Sequence, residues 1–240
     1  MTNTTDTRRG FIATDKSEFS NENLLRLKKA QEEIFWLINR SYSIEKAVTF
    51  VGNHYMLSNR QRLALMRATA TTADIVSRKK KEVCLCDNQI VYIDGLNLII
   101  TLEVALSMSV IIKCMDGTIR DLAGLRGTYR LIDKTDMAIK LIGRKLKDMN
   151  IAGAIFYIDA PVSNTGRLKA RIFELLGSYD YDLSVELINN VDTQLKNKSH
   201  VVTSDAIILN DCVSWVNLAN TIISENISDA WCVRLDFTEA

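Results

Sequence analysis

From residue 83 onward, short apolar runs alternate with longer stretches of helical periodicity, and this alternation limits the possible folds more than any other feature. Apolar runs of about five residues followed by helices of ten or more are typical of βαβ units, whose strands form a mostly parallel sheet. We therefore predict an α/β fold, with a three-layer α/β/α domain over residues 83–240. Its strands are predicted at residues 89–93, 110–114, 154–158, 183–188, 200–203 and 230–235, and its helices at 97–107, 135–149, 166–176 and 214–224.

One of these segments has a second interpretation. Asp116 and Gly117 lie at the centre of residues 110–121, and an Asp-Gly pair favours the tight turn of a β-hairpin. This segment is therefore either a strand of the parallel sheet or an antiparallel hairpin.

The chain before residue 83 has a different periodicity. Apolar side chains recur at helix spacing over residues 23–82, and three helices are predicted there, which form a small helical domain. Residues 1–22 are rich in Thr, Asp and Ser and are predicted to be a flexible tail. The run SRKKKE at residues 77–82 is either a solvated helix end or a contact for nucleic acid.

The overall composition bears on location and partners. A formal net charge of +1 gives no global indication of a polyanionic partner, so any basic site must be local. The five cysteines are an odd number without paired spacing, which favours a reducing environment over a disulfide framework. No run approaches the roughly 20 apolar residues that span a bilayer, and the polar N-terminus is unlike a signal peptide. We predict a cytoplasmic protein without a membrane part, and a homo-oligomer is compatible with the sequence.

Three of the predicted strands end in an aspartate. VYID ends at Asp94, FYID at Asp159 and HVVTSD at Asp205. If these strands are parallel and adjacent, the carboxylates meet at the edge of the sheet where ligands bind in open α/β folds. A divalent cation relieves the repulsion between such carboxylates, and oxygen ligands suit Mg²⁺ or Mn²⁺. The alternative for each acid is a helix cap or a turn residue.

Further candidates lie close to these acids. Asn97 and Ser204 are either capping residues or groups that hold water or phosphate. Asp136 is either an acid at a helix N-terminus or a fourth metal ligand. Glu103 lies away from the Asn97 face of its predicted helix, so we leave it out of the metal site.

The loop APVSNTGRLKAR contains small polar residues followed by cations in the first turns of a helix. Cations at a helix N-terminus oppose the helix dipole, so their placement there favours an anion such as phosphate beside Asp159. The alternative is a generic basic helix surface. The loop TIRDLAGLRGTYR is a second place where phosphate could be contacted. The candidate substrate-binding residues are Ser163, Asn164, Arg167, Lys169 and Arg126.

Several known site types are absent from the sequence. There is no G-x-x-x-x-G-K-[ST] motif of a P-loop NTPase, and no G-x-G-x-x-G follows a predicted strand. Cys84 and Cys86 have no second pair nearby, and His54 and His200 are the only histidines, so a structural zinc site is not expected.

The motifs YIDGLN, YIDAPVSNTGRLK and VVTSD, with the helical segment SYSIEKAVTFVGNHYMLSNRQRLALMRA, resemble a largely archaeal prokaryotic family, domain of unknown function 434. More distantly, Asp94 with Gly95 and Asn97, and the strand end Thr203-Ser204-Asp205, resemble the PIN and NYN nucleases. That resemblance implies a PIN-like fold with metal-binding acids at Asp94 and Asp205, and Asp136 as the nearest match to a helix-start acid. The usual tight pair of late acids is missing here, because Ala206 and Ile207 follow Asp205.

Together these features predict a metal-dependent nuclease that hydrolyses phosphodiesters, with RNA as the favoured substrate and Mg²⁺ or Mn²⁺ as the cofactor. One alternative is a non-catalytic nucleic-acid-binding or interaction module on the same fold, and another is a small-molecule phosphohydrolase. The predicted metal ligands are Asp94, Asp159, Asp205 and Asp136, and the predicted catalytic residues are Asp94, Asp159, Asp205, Asn97 and Ser204.

Overall fold

The computed structural model describes residues 7–84, 87–124 and 127–236. Its helices are α1 (Asp15–Glu18), α2 (Asn21–Ile38), α3 (Ile44–His54), α4 (Asn59–Ala68), α5 (Thr72–Lys81), α6 (Gly95–Leu106), α7 (Asp133–Asp148), α8 (Thr165–Leu176), α9 (Val191–Leu195), α10 (Ala206–Asp211) and α11 (Leu218–Asn226). Its strands are β1 (Ile90–Asp94), β2 (Ile111–Lys113), β3 (Ile119–Asp121), β4 (Gly153–Asp159), β5 (Asp182–Ile188), β6 (Val201–Val202) and β7 (Cys232–Arg234). None of the described helices combines the length and the apolar character needed to cross a bilayer.

A four-stranded parallel sheet forms the centre of the α/β part. Its strand order is β5-β4-β1-β6, and every neighbouring pair is parallel. Side chains of β4 alternate between two apolar clusters, with Phe156 and Ile158 on one face and Tyr157 on the other. Helices α6, α7, α8 and α11 contribute to the first cluster, and α9 and α10 to the second. The mostly parallel sheet with helices on both faces was predicted from the alternation of short apolar runs and helices.

The remaining strands form a separate sheet. Residues 110–121 are an antiparallel hairpin of β2 and β3, and β7 pairs with β2 in parallel, which gives the order β3-β2-β7. Gly117 has φ +85°, a conformation that side chains disfavour, so the Asp-Gly turn explains the hairpin. The interpretation of 110–114 as a strand of the central parallel sheet is therefore wrong.

The N-terminal part is helical, as the periodicity predicted. Helices α2, α3 and α4 coincide with the three predicted ones, and α5 is an additional helix that ends in the basic run. Ser43 and Ser58 cap α3 and α4, and Gln61 completes a capping box at α4. The apolar faces of these helices share one cluster with Val110, Ile112 and Val233 of the second sheet. The core of the helical part therefore continues into the second sheet, at β2 and β7.

Residues 7–20 are packed against the protein, which corrects the prediction of a flexible tail for this stretch. Phe19 is buried, and the buried Asp15 carboxylate accepts two hydrogen bonds from Arg60, each 2.9 Å long. Arg9 pairs with the buried Glu103 carboxylate at 2.8 Å, and Tyr129 donates to the same carboxylate at 2.7 Å. Glu103 is thus a structural partner of the N-terminal segment.

Candidate functional site

The three strand-end aspartates lie on adjacent strands at one edge of the central sheet. Asp94 is the last residue of β1, Asp159 is the last of β4, and Asp205 follows β6 by three residues. Because β1 lies between β4 and β6 and all three are parallel, their carboxyl ends share this edge. From β1 the chain continues to β4 on one side of β1, and it later adds β6 on the opposite side of β1. This reversal makes the β1–β6 crevice the topological switch point at which α/β proteins bind ligands.

Asp94 is the most unusual of these groups. Its side chain is 7% exposed, and burial raises the pKa of its carboxyl to about 7, with the negative charges of Asp205 and Asp159 adding to the effect. The Thr203 hydroxyl donates a hydrogen bond of 2.9 Å to it. Among the described residues, no Lys or Arg forms an ion pair with Asp94, Asp159 or Asp205. This acidic edge therefore has no direct ion pair with the described part of the chain, although Arg120 is close enough for the charge of Asp205 to contribute to the raised pKa of Arg120.

A fourth acid, Asp192, belongs to the same electrostatic group and was missed in the sequence. It lies in the first turn of α9. Burial and then the charge of Asp205 raise the pKa of Asp192, and burial and then the charge of Asp192 raise the pKa of Asp159. Asp192 comes four residues after the end of β5. A search for acids in the short loops that follow predicted strands, as well as at the strand ends, would have found it.

Asn97 and Ser204 join the two sides of the crevice. The Asn97 Oδ1 accepts hydrogen bonds from the Ser204 backbone N–H and from the Ser204 hydroxyl, both of 2.9 Å. Asn97 is the third residue of α6 and not its cap, which corrects the capping interpretation. Asp205 is the N-cap of α10, because its Oδ1 accepts from the backbone N–H of Ile207 at 2.8 Å. Asp205 therefore caps α10 and also belongs to the acidic group.

A buried ionic network stabilises the backbone at Ser204, two residues after the end of β6. The Asp116 carboxylate, at the hairpin turn, accepts hydrogen bonds of 2.7 Å from both Arg78 and Arg120. Although burial opposes it, the charges of Arg120 and Arg78 hold the pKa of Asp116 below its usual value. Arg120 also donates to the Ser204 carbonyl at 2.7 Å, and Arg78 donates to Asn210 of α10 at 2.8 Å. The network therefore fixes both the strand end and the helix that Asp205 caps.

Other predicted site residues have different surroundings. Asp136 forms a two-pronged ion pair with Arg171, whose hydrogen bond is the largest cause of the lowered Asp136 pKa. Asp136 is not among the charges that raise the pKa of Asp94. Arg171, expected to face an anion, is therefore neutralised by Asp136 and also pairs with Glu174.

The loop before α8 is held mainly by backbone contacts. The Ser163 backbone N–H donates to the Gly127 carbonyl at 3.1 Å, and Asn164 donates through its side chain to the Tyr129 carbonyl at 2.7 Å. Arg167 is exposed at the start of α8, and the Lys169 ammonium lies 5.9 Å from the centre of the Phe173 ring. Arg126, the other candidate for substrate binding, lies outside the described residues.

The arrangement does not contain a ready-made cage of metal ligands. Within residues 7–84, 87–124 and 127–236, no three or more His, Cys, Asp or Glu side chains are placed to hold one ion. Mg²⁺, however, usually keeps several waters and needs only one or two protein carboxylates together with substrate phosphates. Asp94 is buried without an ion-pair partner in the described chain, and the charges of Asp205 and Asp159 act on it.

A cleft of ≈ 530 Å³ opens beside this edge. Asn97, Ser204 and Asp205 line one wall, and residues of the helical part line the other, among them Tyr42 and Arg67. The cleft therefore connects the strand ends of the α/β part with the N-terminal helices.

Comparisons with known proteins agree with this two-part architecture. Residues 84–221 match the model of a domain of unknown function, DUF5616, and residues 26–81 match that of a protein of unknown function, DUF434. An uncharacterised protein of Methanocaldococcus jannaschii is 37% identical over 187 residues, which cover 77% of this chain and 89% of that protein. No solved structure matches the chain. Since the first match covers more than half of the chain, the protein belongs to the family of proteins that carry the domain of unknown function DUF5616, here preceded by a DUF434 segment.

Proposed function

We propose that the protein is a Mg²⁺- or Mn²⁺-dependent nuclease that hydrolyses phosphodiester bonds, with RNA as the favoured substrate. The observation that carries the proposal is the buried Asp94 carboxylate, whose pKa is raised by burial and by two neighbouring acids at a strand-edge crevice. Burying such a charge without a partner is costly, and perturbed acids in clefts are typical of functional sites.

In this proposal Asp94 holds the cation together with Asp205 or Asp159. The cation would supply positive charge that stabilises the oxyanions of the reacting phosphodiester. Asn97 fixes the Ser204 hydroxyl and backbone beside the crevice, and this pair would orient water or a phosphate oxygen. The cations on α8, Arg167 and Lys169, would contact the substrate backbone beyond Asp159, with the preceding loop at Ser163 and Asn164 as a secondary contact.

The proposal is tested with a labelled single-stranded RNA of about 20 nucleotides and the purified protein in Mg²⁺, Mn²⁺ or EDTA. We expect cleavage with either metal, none in EDTA, and at least a 1000-fold loss, on the order of 4 kcal/mol in barrier, for Asp94→Asn. Asp180→Asn is the matched control, because Asp180 has a side chain that is 89% exposed and lies outside the acidic group. The same change there should leave the rate unaltered.

Four results would count against the nuclease proposal. One is the absence of cleavage of both RNA and DNA with either metal, and another is equal cleavage by Asp94→Asn. Hydrolysis of nucleotide or sugar phosphates without polymer cleavage would instead indicate a phosphohydrolase. Binding of nucleic acid that is insensitive to EDTA and steeply dependent on salt, without cleavage, would indicate a binding module.

A further inference from the structure

We propose that the cleft between the N-terminal helices and the acidic strand edge binds single-stranded nucleic acid, with Tyr42 as a base-stacking residue and Arg67 as a phosphate contact. This inference rests on the proposed function and extends it, since it names the form of the substrate and the wall that receives it. It gives the helical part a role in substrate binding.

The position of the cleft supports this assignment. Its volume of ≈ 530 Å³ lies within the range of about 300–1,000 Å³ that is typical of ligand pockets. Such a volume suits a short stretch of single strand, whereas an intact duplex is much wider. Since Asn97, Ser204 and Asp205 line the same cleft, a strand bound there would reach the acidic edge at Asp205.

Tyr42 offers an aromatic face at this cleft. It lies in the connection between α2 and α3, and its side chain remains 57% exposed. Exposed aromatic rings beside a charged groove are the usual platforms for unpaired bases, because every base has a π-face that can stack. Met66 of α4 also lines the cleft and is 37% exposed, which adds apolar surface.

Among the described residues that line the cleft, Arg67 is the cation most accessible to a ligand. Its side chain is 35% exposed, against 4% for Arg78 and 9% for Arg120, which both pair with Asp116. Arg67 donates through Nη1 to the Asp121 carbonyl, and the Asp121 carboxylate lies 3.7 Å away. This contact uses one nitrogen of the guanidinium. The planar guanidinium has further donors that suit a phosphate.

The acids of the cleft limit where a phosphate can lie. Asp74 accepts a hydrogen bond from the Thr71 hydroxyl at 2.8 Å, Asp121 is buried beside Arg67, and Asp205 uses one carboxylate oxygen to cap α10 and keeps the other outside those capping bonds. A phosphate is therefore attracted at the Arg67 end and repelled at the Asp205 end unless a cation is bound there. This asymmetry would place the backbone at Arg67 and the reacting bond near the acidic edge.

The test measures binding without cleavage. The full-length protein is titrated in EDTA against a fluorescent single-stranded RNA of about 12 nucleotides, and anisotropy gives the Kd. Loss of one stacked base or one phosphate contact is expected to weaken binding about tenfold for both Tyr42→Ala and Arg67→Ala. The corresponding duplex RNA should bind at least about tenfold more weakly than the single strand. Phe50→Ala and Arg144→Ala are the matched controls, because both residues are exposed and neither lines the cleft.

Because Arg67 also contacts Asp121, Arg67→Lys is measured beside Arg67→Ala, with thermal unfolding as a check on folding. We expect Arg67→Lys to recover part of the affinity. Unchanged Kd values for both Tyr42→Ala and Arg67→Ala, a preference for duplex, or no binding to either RNA or DNA would overturn the inference. If the wild type binds with this pattern but does not cleave with metal, the nuclease proposal fails and the binding cleft stands. If it cleaves while both variants bind like the wild type, the cleft assignment fails alone.

Discussion

Replacing Asp94 with asparagine is expected to stabilise the metal-free protein above pH 7. The folded protein holds this carboxyl at a pKa of about 7, whereas an unfolded chain has a value near 3.8. Between these values the folded state binds more protons than the unfolded state, so the contribution of Asp94 to stability falls as the pH rises through this window. At pH 8 the penalty is fully present and amounts to about 2–4 kcal/mol. An asparagine at this position can still accept the Thr203 hydrogen bond and carries no charge.

The measurement is urea unfolding of both proteins in EDTA at pH 4.5, 6 and 8. The advantage of the variant should be about a quarter of its full size at pH 4.5 and grow to its full size at pH 8. Addition of Mg²⁺ or Mn²⁺ at pH 8 should stabilise the wild type and leave Asp94→Asn unchanged, because only a folded state that binds the ion gains stability. Asp180→Asn is again the control, and a stability difference that is independent of pH would contradict the prediction.

The strand-end aspartates could be found in the sequence because a strand that ends in aspartate is visible in a run of four residues. Their adjacency remained a condition, because the order of β1, β4 and β6 depends on crossovers that only the structure shows. Asn97 and Ser204 were also found by their positions beside these acids. Their mutual hydrogen bonds required the crossover that brings residues 97 and 204 together.

Other features could not be predicted because their partners are distant in sequence. Asp136 looked like a ligand on position alone, and only the packing of α7 against α8 shows that Arg171 neutralises it. The polar composition of residues 7–20 indicated a tail, yet the buried Glu103 carboxylate needs a cation, and Arg9 supplies it from 94 residues away. The composition of a segment shows its charge, but it does not show which distant residue that charge will pair with in the folded protein.

Truncation of Asp116 to alanine is expected to destabilise the protein strongly. Asp116 is completely buried, and its carboxylate is shared by two arginines that are themselves buried, Arg78 and Arg120. Removal of the acid leaves two positive charges in the interior without their anion, and breaking one buried pair in this way costs about 3–5 kcal/mol. Asp116→Asn keeps one acceptor oxygen, which can serve either Thr118 at the Oδ1 position or the two arginines at the Oδ2 position, and it removes the anion. A loss of about 3–5 kcal/mol, close to that of the alanine variant, is therefore expected.

Chemical denaturation at pH 7 measures both losses, with Asp180→Ala as the exposed control that should stay within about 0.5 kcal/mol of the wild type. A loss below about 1 kcal/mol for Asp116→Ala would show that Arg78 and Arg120 find water or other partners. Arg120 also donates to the Ser204 carbonyl, and Arg78 donates to Asn210 of the helix that Asp205 caps. Changes at Asp116 should therefore also alter the geometry of the acidic edge. We therefore expect Asp116→Asn, in its folded state, to gain less stability from Mg²⁺ than the wild type does. Equal gains would mean that the edge keeps its geometry without this network.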